Sequence, residues 1–259
     1  MPTRRPLMPP SIEVAVMVCC AASVASLAAL AGPFVLALAL WIAGAVVSWG
    51  WAGMLALPAP KGTAAILYAG SLALVLSPLV SAERPMLTWV AGALALALIA
   101  AFVHQLMRVD GRPRIVESIS SIALGLGVMT CGVLLIPLSS TAEGAALVVA
   151  TVVGAAASSI SDILGHWKPL RPWLVPLALL VGGGAAALVA VGLGMQWSIF
   201  LLSGVVAGAV SHALRSVHST LPTMAHPRPR LVMAICSLLV TGPVAYAVAL
   251  ALLPGFSLA

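Results

Sequence analysis

Residues 143–165 read EGAALVVATVVGAAASSISDILG, an apolar run that ends in serines and an aspartate. A bilayer core about 30 Å thick requires roughly 20 apolar residues in a helix, so this run is long enough to cross a membrane. Similar runs recur along the 259 residues, which are 62% hydrophobic and 7% charged with a mean hydropathy of +1.18. A soluble fold of this composition would lack the polar residues to cover its surface, and we therefore predict an integral membrane protein.

Prolines, glycines and charged residues divide the apolar sequence into nine predicted spans of an all-α, polytopic transmembrane bundle. We expect one bundle over residues 11–254, with short tails at 1–10 and 255–259. The longest hydrophilic stretch, residues 218–230, is too short to form a separate domain. The predicted spans are 11–31, 34–57, 63–82, 86–107, 115–138, 143–165, 173–195, 197–217 and 231–254.

The distribution of basic residues predicts the orientation of the bundle. Along the nine-span path, Arg84 falls on one side of the membrane and the other eleven Lys and Arg residues fall on the opposite side. Because cytoplasmic loops carry the excess of Lys and Arg, we expect a cytoplasmic N-terminus, an extracytoplasmic C-terminus and a location in the bacterial inner membrane. The eleven residues are Arg4, Arg5, Lys61, Arg108, Arg112, Arg114, Lys168, Arg171, Arg215, Arg228 and Arg230.

Other protein classes fit the sequence less well. The first apolar run resembles a signal peptide, but it turns at Gly32-Pro33 directly into a second span, so we expect it to be retained. The net charge of +6 comes from basic residues in short loops between spans. Basic residues in such loops set the orientation of a membrane protein, so they do not indicate a nucleic-acid partner. The cysteines indicate neither a disulfide framework nor a metal site, because all four lie inside apolar runs: Cys19, Cys20, Cys131 and Cys236.

Four even-numbered spans each carry a short element of Gly and Ala. These elements have two interpretations, close helix packing or a duplicated helical hairpin. A run of three glycines, Gly182 to Gly184, is also typical of close packing between membrane helices. The four elements are Ala43-Gly44-Ala45, Ala91-Gly92-Ala93, Gly154-Ala155-Ala156 and Ala207-Gly208-Ala209.

Ionisable residues near the predicted cytoplasmic boundary are the candidate ligand-binding residues. A charge held against lipid costs several kcal/mol unless it is paired or faces a wet cavity. The centre of the bilayer is almost free of charge, which argues against an ion-coupled transporter with a site at the midplane. The candidates are His104, Arg108, Arg112, Glu117, Asp162, His166, His212 and Arg215.

Each candidate also has a structural interpretation. Asp162 shares a helix face with His166 and could hold a metal or phosphate, or could be satisfied by a neighbouring helix. Glu117 lies in the first turn of a span, where the helix dipole favours an acidic residue. The histidines at 104 and 212 could instead make hydrogen bonds between helices.

We expect Asp162 and Arg215 to belong to one polar cluster near the cytoplasmic surface. Several spans bring ionisable groups to a similar depth, and pairing around a wet pocket is their least costly arrangement. We expect this cluster to include some of His104, Arg108, Glu117 and His166.

Three features carry a resemblance to a known family: the order of the spans, SSISDILGHWKPL at 158–170 and SLLVTGPVAYAVALALL at 237–253. In these features the chain resembles the CDP-diacylglycerol synthase (phosphatidate cytidylyltransferase) family over roughly residues 60–254. The resemblance implies that Asp162 corresponds to the aspartate of the family's Ser-Asp-Thr-x-Ala-Tyr element. It also implies a shared scaffold and a lipid groove that faces the cytoplasm.

The chain departs from that family where magnesium would bind. The segments KPLRP at 168–172, AGAVSHALRS at 207–216 and HSTLPTMAHPRPR at 218–230 lack the carboxylates of the family's next motifs. Those carboxylates would hold the metal ions that bridge the nucleotide phosphates. The resemblance therefore argues against cytidylyltransferase activity, and we expect neither a cofactor nor catalytic residues.

Two classes of function follow from these patterns. The first is a protein that binds or handles a phospholipid or another lipid phosphate through the cytoplasmic polar cluster, with membrane lipids as its partners. The second is a permease for a small solute; the Ala-Leu-Val-rich composition is similar to that of actinobacterial membrane proteins described as permeases, but no substrate-binding pattern supports that function. The sequence leaves a homodimer open.

Cysteine labelling tests the predicted topology. In a variant whose native cysteines are replaced, cysteines placed within residues 218–230 should react with an impermeant maleimide only from the cytoplasmic side. A reporter fused after Ala259 should behave as extracytoplasmic. Labelling of residues 218–230 from the outside would contradict the nine-span topology.

Overall fold

The computed structural model describes residues 10–80, 86–109, 114–253 and 256, and every regular element in these ranges is helical. Short 3₁₀ helices lie at Pro137–Ser140, Lys168–Trp173 and Pro222–Ala225. The α-helices are α1 (Pro10–Leu30), α2 (Pro33–Met54), α3 (Pro60–Val80), α4 (Val90–Met107), α5 (Ile115–Val133), α6 (Ala142–Ala157), α7 (Ser159–Leu164), α8 (Leu174–Gly192), α9 (Trp197–His218), α10 (Pro227–Leu239) and α11 (Gly242–Leu252).

Nine helical segments of the described chain are long and apolar enough to cross a membrane, which confirms the predicted fold class and number of spans. Their bounds agree with the predicted ones to within a few residues. The largest difference is in the seventh span, which begins at Lys168 where the prediction begins at 173; in the fifth span, α5 ends at Val133 and the 3₁₀ helix Pro137–Ser140 completes the segment. Of the predicted tails, only Pro10, which begins α1, and Phe256, whose ring meets Tyr246 edge to face, are described.

Two spans consist of two helices each because hydroxyl side chains and a proline interrupt them. Between α6 and α7, the Ser158 and Ser159 hydroxyls each donate to a carbonyl three residues back, at 2.6 Å. Such bonds compete with the helical backbone. Between α10 and α11, the Thr241 hydroxyl donates to Leu238 O at 2.6 Å, and Pro243 supplies no N–H for the helical ladder.

The described basic residues lie in or beside the connections at one end of the alternating helices, and contacts between helix ends join several of these connections. The Arg114 guanidinium at the start of α5 donates to Ala56 O just after α2, at 2.9 Å. The Thr223 hydroxyl, just before α10, donates to Met54 O at 2.6 Å. This arrangement agrees with the alternation that the charge pattern predicts, and the assignment of this end to the cytoplasm stays a prediction.

The core of the bundle is built around α6. Nearly every residue from Gly144 to Ala156 is buried, as expected for a helix that is apolar on all sides and surrounded by others. Helices α1, α8, α9 and α11 pack against it. Near its centre, the Thr151 and Ser203 hydroxyls lie 2.6 Å apart, so these two buried polar groups satisfy each other.

Three glycines allow α6, α8 and α9 to meet backbone to backbone. A methyl group added at Gly154 would lie 2.8 Å from Gly182 O, and one added at Gly204 would lie 2.5 Å from the same oxygen. Real side chains do not approach backbone this closely. The small residues therefore set the separation of the three helices.

The four Gly- and Ala-containing elements do not have equivalent surroundings. Gly154 and Gly208 contact α8, and Gly44 lies against Ser71 of α3, whereas a methyl group at Gly92 would meet nothing within 4 Å. Close helix packing thus accounts for three of the elements.

Substitution of Gly204 tests this packing. Gly204→Ala should lower the free energy of unfolding by about 1–3 kcal/mol, because the new methyl group must displace α8 or α9. The measurement is reversible unfolding in mixed micelles with increasing SDS. Gly184→Ala in α8 is the matched control, since open space surrounds that position; equal stability of the two variants would contradict the proposed role of the glycine contact.

Candidate functional site

Asp162 lies at the end of the sixth span, next to the last turns of α9. The Nδ1 atom of His212 donates to one carboxylate oxygen of Asp162 at 2.6 Å, and Nε of Arg215 donates to the other at 2.5 Å. Both oxygens therefore have a partner on a neighbouring helix. The predicted proximity of Asp162 and Arg215 is thus observed as a direct ion pair.

Arg215 is almost completely buried, with 2% of its side chain exposed. Besides Asp162, its guanidinium donates to the Ser211 hydroxyl at 2.5 Å and to the Ser158 hydroxyl at 3.0 Å. A buried guanidinium is tolerated only when a counter-charge and hydrogen bonds replace its hydration. The serines at the break between α6 and α7 and on α9 supply those bonds.

A second buried ion pair lies between α1 and α10. The Arg230 guanidinium pairs with Glu13 and donates to the carbonyl oxygens of Met224 and Ala225, at 2.7 and 3.0 Å. The candidate residues chosen from the sequence do not include either partner. A signal was present, because Glu13 is an isolated carboxylate near the start of the first span.

A cavity of about 440 Å³ opens between these two ion pairs. Its volume is within the range of ligand pockets, roughly 300–1,000 Å³. Helices α1, α7, α8, α9 and α10 contribute to its walls, with Ser11, Val14, Leu174, Ser216, Ser219, Met224 and Met233 among its lining residues. Its charged and titratable lining consists of Asp162, His166, His212, Arg215 and Arg230.

The Asp162 carboxylate fixes the tautomer of His212. An ionised carboxylate only accepts hydrogen bonds, so Nδ1 of His212 must carry the proton that is shared with it. No residue in the described ranges bonds to Nε2 of His212, so this nitrogen is open to a ligand in the cavity. His166 lies at the rim of the cavity, where its Nδ1 donates to Ile163 O and its ring meets Trp167 edge to face.

The remaining candidates lie elsewhere. His104 and Arg108 line a shallow depression of about 570 Å³ together with Lys61, and His104 packs against Gly62 of α3. Arg108 donates to the Gln105 side chain at 2.8 Å.

Glu117 pairs with Arg114 on the surface, with about half of each side chain exposed. Arg112 lies outside the described residues. Of the eight candidates, Asp162, His166, His212 and Arg215 therefore share one cavity.

The donors in this cavity do not fit a magnesium pair. Asp162 is its one carboxylate among the described residues, and both oxygens already accept from His212 and Arg215. Magnesium prefers several oxygen ligands, of which carboxylates are the main protein source. The described chain contains no cluster of three or more His, Cys, Asp and Glu residues.

A double-mutant cycle tests the pair between Asp162 and Arg215. Asp162→Asn should cost about 3 kcal/mol of unfolding free energy, because it leaves the buried Arg215 without a counter-charge. Arg215→Gln should cost less, since Asp162 is partly exposed and keeps His212. The two losses should differ from additivity by about 1 kcal/mol or more.

The exposed pair of Arg114 and Glu117 is the control for this cycle. Arg114→Gln and Glu117→Gln should each have small effects that add to within about 0.5 kcal/mol. Simple additivity at Asp162 and Arg215 would show that the two side chains do not stabilise each other.

Comparisons with protein family models, with curated proteins and with solved structures find no match to this chain.

Proposed function

We propose that this helical bundle is an integral membrane protein that binds the phosphate-bearing headgroup of a membrane lipid in the cavity between α1, α7, α8, α9 and α10. The observation that carries the proposal is the mixed lining of this cavity. Two buried arginines and two histidines line it together with valine, leucine and methionine side chains. Such a lining suits a ligand that is anionic at one end and apolar at the other.

The electrostatics of this end of the bundle favour an anion. Eight of the described residues there are basic, and three are acidic: Glu13, Glu117 and Asp162. The cavity wall also includes Ser11 and Leu174, at the first turns of α1 and α8. The positive ends of these helix dipoles add to the attraction.

The arginines retain donors for a ligand. A guanidinium has five N–H groups, and Arg215 and Arg230 each make three hydrogen bonds to the protein. Two N–H groups on each side chain therefore have no partner among the described residues and could donate to phosphate oxygens. Because Asp162 and Glu13 already neutralise the guanidiniums, these arginines would recognise a phosphate through hydrogen bonds more than through net charge.

Lipid binding accounts for these observations better than a permease does. A permease requires a polar path that reaches the far side of the membrane. The described residues deeper in α6 and α9 instead pack backbone to backbone at Gly154 and Gly204, and Thr151 and Ser203 bond to each other. A small-solute permease remains the second candidate because of the composition alone.

From the resemblance to CDP-diacylglycerol synthases we propose only a similar scaffold with a lipid groove. In that interpretation Asp162 keeps its place at the end of a span but pairs with Arg215, so we propose lipid binding without nucleotidyl transfer. A bacterial inner-membrane location and a homodimer stay predictions.

Ligand titration followed by native mass spectrometry tests the proposal. The purified protein should retain phosphatidylglycerol at saturable stoichiometry and phosphatidylcholine more weakly. Ser216→Trp, at the rim of the cavity, should weaken phosphatidylglycerol binding by about tenfold or more, because the indole would occupy the ligand volume while leaving the buried ion pairs intact.

Val217→Trp is the matched control, since Val217 is exposed and does not line the cavity. sn-Glycerol 3-phosphate separates the two candidate functions. The permease would be favoured if the protein binds this soluble phosphate tightly, if Ser216→Trp abolishes that binding, and if no lipid binds. Equal lipid retention by Ser216→Trp and Val217→Trp would contradict the proposed site.

A further inference from the structure

The segment between α7 and α8 has an unusual surface. Residues 166–173 read HWKPLRPW, and all of them except Leu170 are exposed. The indole-bearing residues Trp167 and Trp173 are 56% and 63% exposed. This eight-residue segment, which we call the rim segment, therefore presents aromatic and basic side chains outward.

The length of α8 places the rim segment at the membrane interface. The 19 residues of α8, Leu174–Gly192, span about 28 Å at 1.5 Å per residue. This length matches the roughly 30 Å of the hydrocarbon core. The residues just before α8 then lie at the level of the lipid headgroups, where Trp side chains are favoured.

Among the described residues, the charges of the rim segment have no carboxylate partner. No acidic residue in the described ranges pairs with Lys168 or Arg171, and the Arg171 side chain donates to Gly165 O at 3.3 Å. By contrast, Arg114, Arg215 and Arg230 are each paired with a carboxylate. Two positive charges that no described carboxylate compensates complement an anionic lipid phosphate at headgroup depth.

The rim segment adjoins the cavity described above. His166 at its beginning and Leu174 directly after it both line the cavity. The 3₁₀ helix Lys168–Trp173, with Pro169 and Pro172, keeps the connection compact between these two points. A lipid whose phosphate is held by Lys168 and Arg171 would thus lie beside the mouth of the cavity.

We infer that the rim segment is a docking site for anionic phospholipids of the surrounding leaflet, and that it presents their headgroups to the cavity. The second half of this inference rests on the proposed function. The lipid phosphate is held by Lys168 and Arg171, and Trp167 and Trp173 anchor the segment in the interface.

Charge removal on the rim segment tests the inference. Native mass spectrometry compares the wild type with Lys168→Gln/Arg171→Gln during titration with phosphatidylglycerol and with phosphatidylcholine. The double variant should bind phosphatidylglycerol about 25-fold more weakly, roughly fivefold for each charge removed. Its weak retention of phosphatidylcholine should be unchanged.

Lys61→Gln/Arg228→Gln is the matched control. It removes the same number of positive charges at the same end of the bundle, away from the rim segment; Arg228 stacks on Trp49, 3.8 Å from the ring centroid. This control should weaken phosphatidylglycerol binding by no more than about threefold, because it removes only screened long-range attraction and no contact with the bound phosphate. An equal loss in both double variants, or no loss in the rim variant, would overturn the inference.

Ser216→Trp in the same titrations separates this inference from the proposed function. If the cavity binds lipid and the rim segment does not, Ser216→Trp loses phosphatidylglycerol and the rim variant retains it, which overturns only the docking site. If the rim variant loses phosphatidylglycerol while Ser216→Trp matches the wild type, the docking site stands and the cavity function fails.

Discussion

The contact of three helix backbones at Gly154, Gly182 and Gly204 determines much of the rest of the structure. Lipid provides no hydrophobic force between membrane helices, so association depends on close packing and on polar contacts. Without side chains at these positions, α6, α8 and α9 approach closely enough for the end of the sixth span to face the end of the ninth helix. The pair between Asp162 and Arg215 depends on that approach.

The buried charges limit what the basic end of the bundle can do. Each buried arginine carries its own carboxylate, Asp162 for Arg215 and Glu13 for Arg230, so neither contributes a full uncompensated charge to the cavity. A buried ion pair adds little to the stability of a protein, but it holds the N–H donors of the arginine in place. Recognition of an anion would then rely on the remaining N–H groups, the histidines and the general excess of basic residues at this end.

In the proposed function, the rim segment and the cavity act on the same lipid headgroup. The exposed basic residues of the rim segment lie next to the cavity through His166, and the cavity lies between the two buried pairs. A headgroup that approached from the leaflet would meet the exposed charges of the rim segment first and the buried donors of the cavity second. Long-range attraction and short-range specificity would thus come from different residues.

Composition and periodicity alone determined the membrane class, the nine spans and the alternation of charge, because lipid imposes a fixed length and apolarity on every span. They also selected Asp162 and Arg215, since ionisable groups are costly in a span. The partners of these groups were decided by tertiary structure. Glu13 and Arg230 are 217 positions apart in sequence, and Glu117, which the sequence predicts at the depth of Asp162, pairs locally with Arg114. Depth follows from sequence position, whereas the lateral arrangement of helices follows from packing.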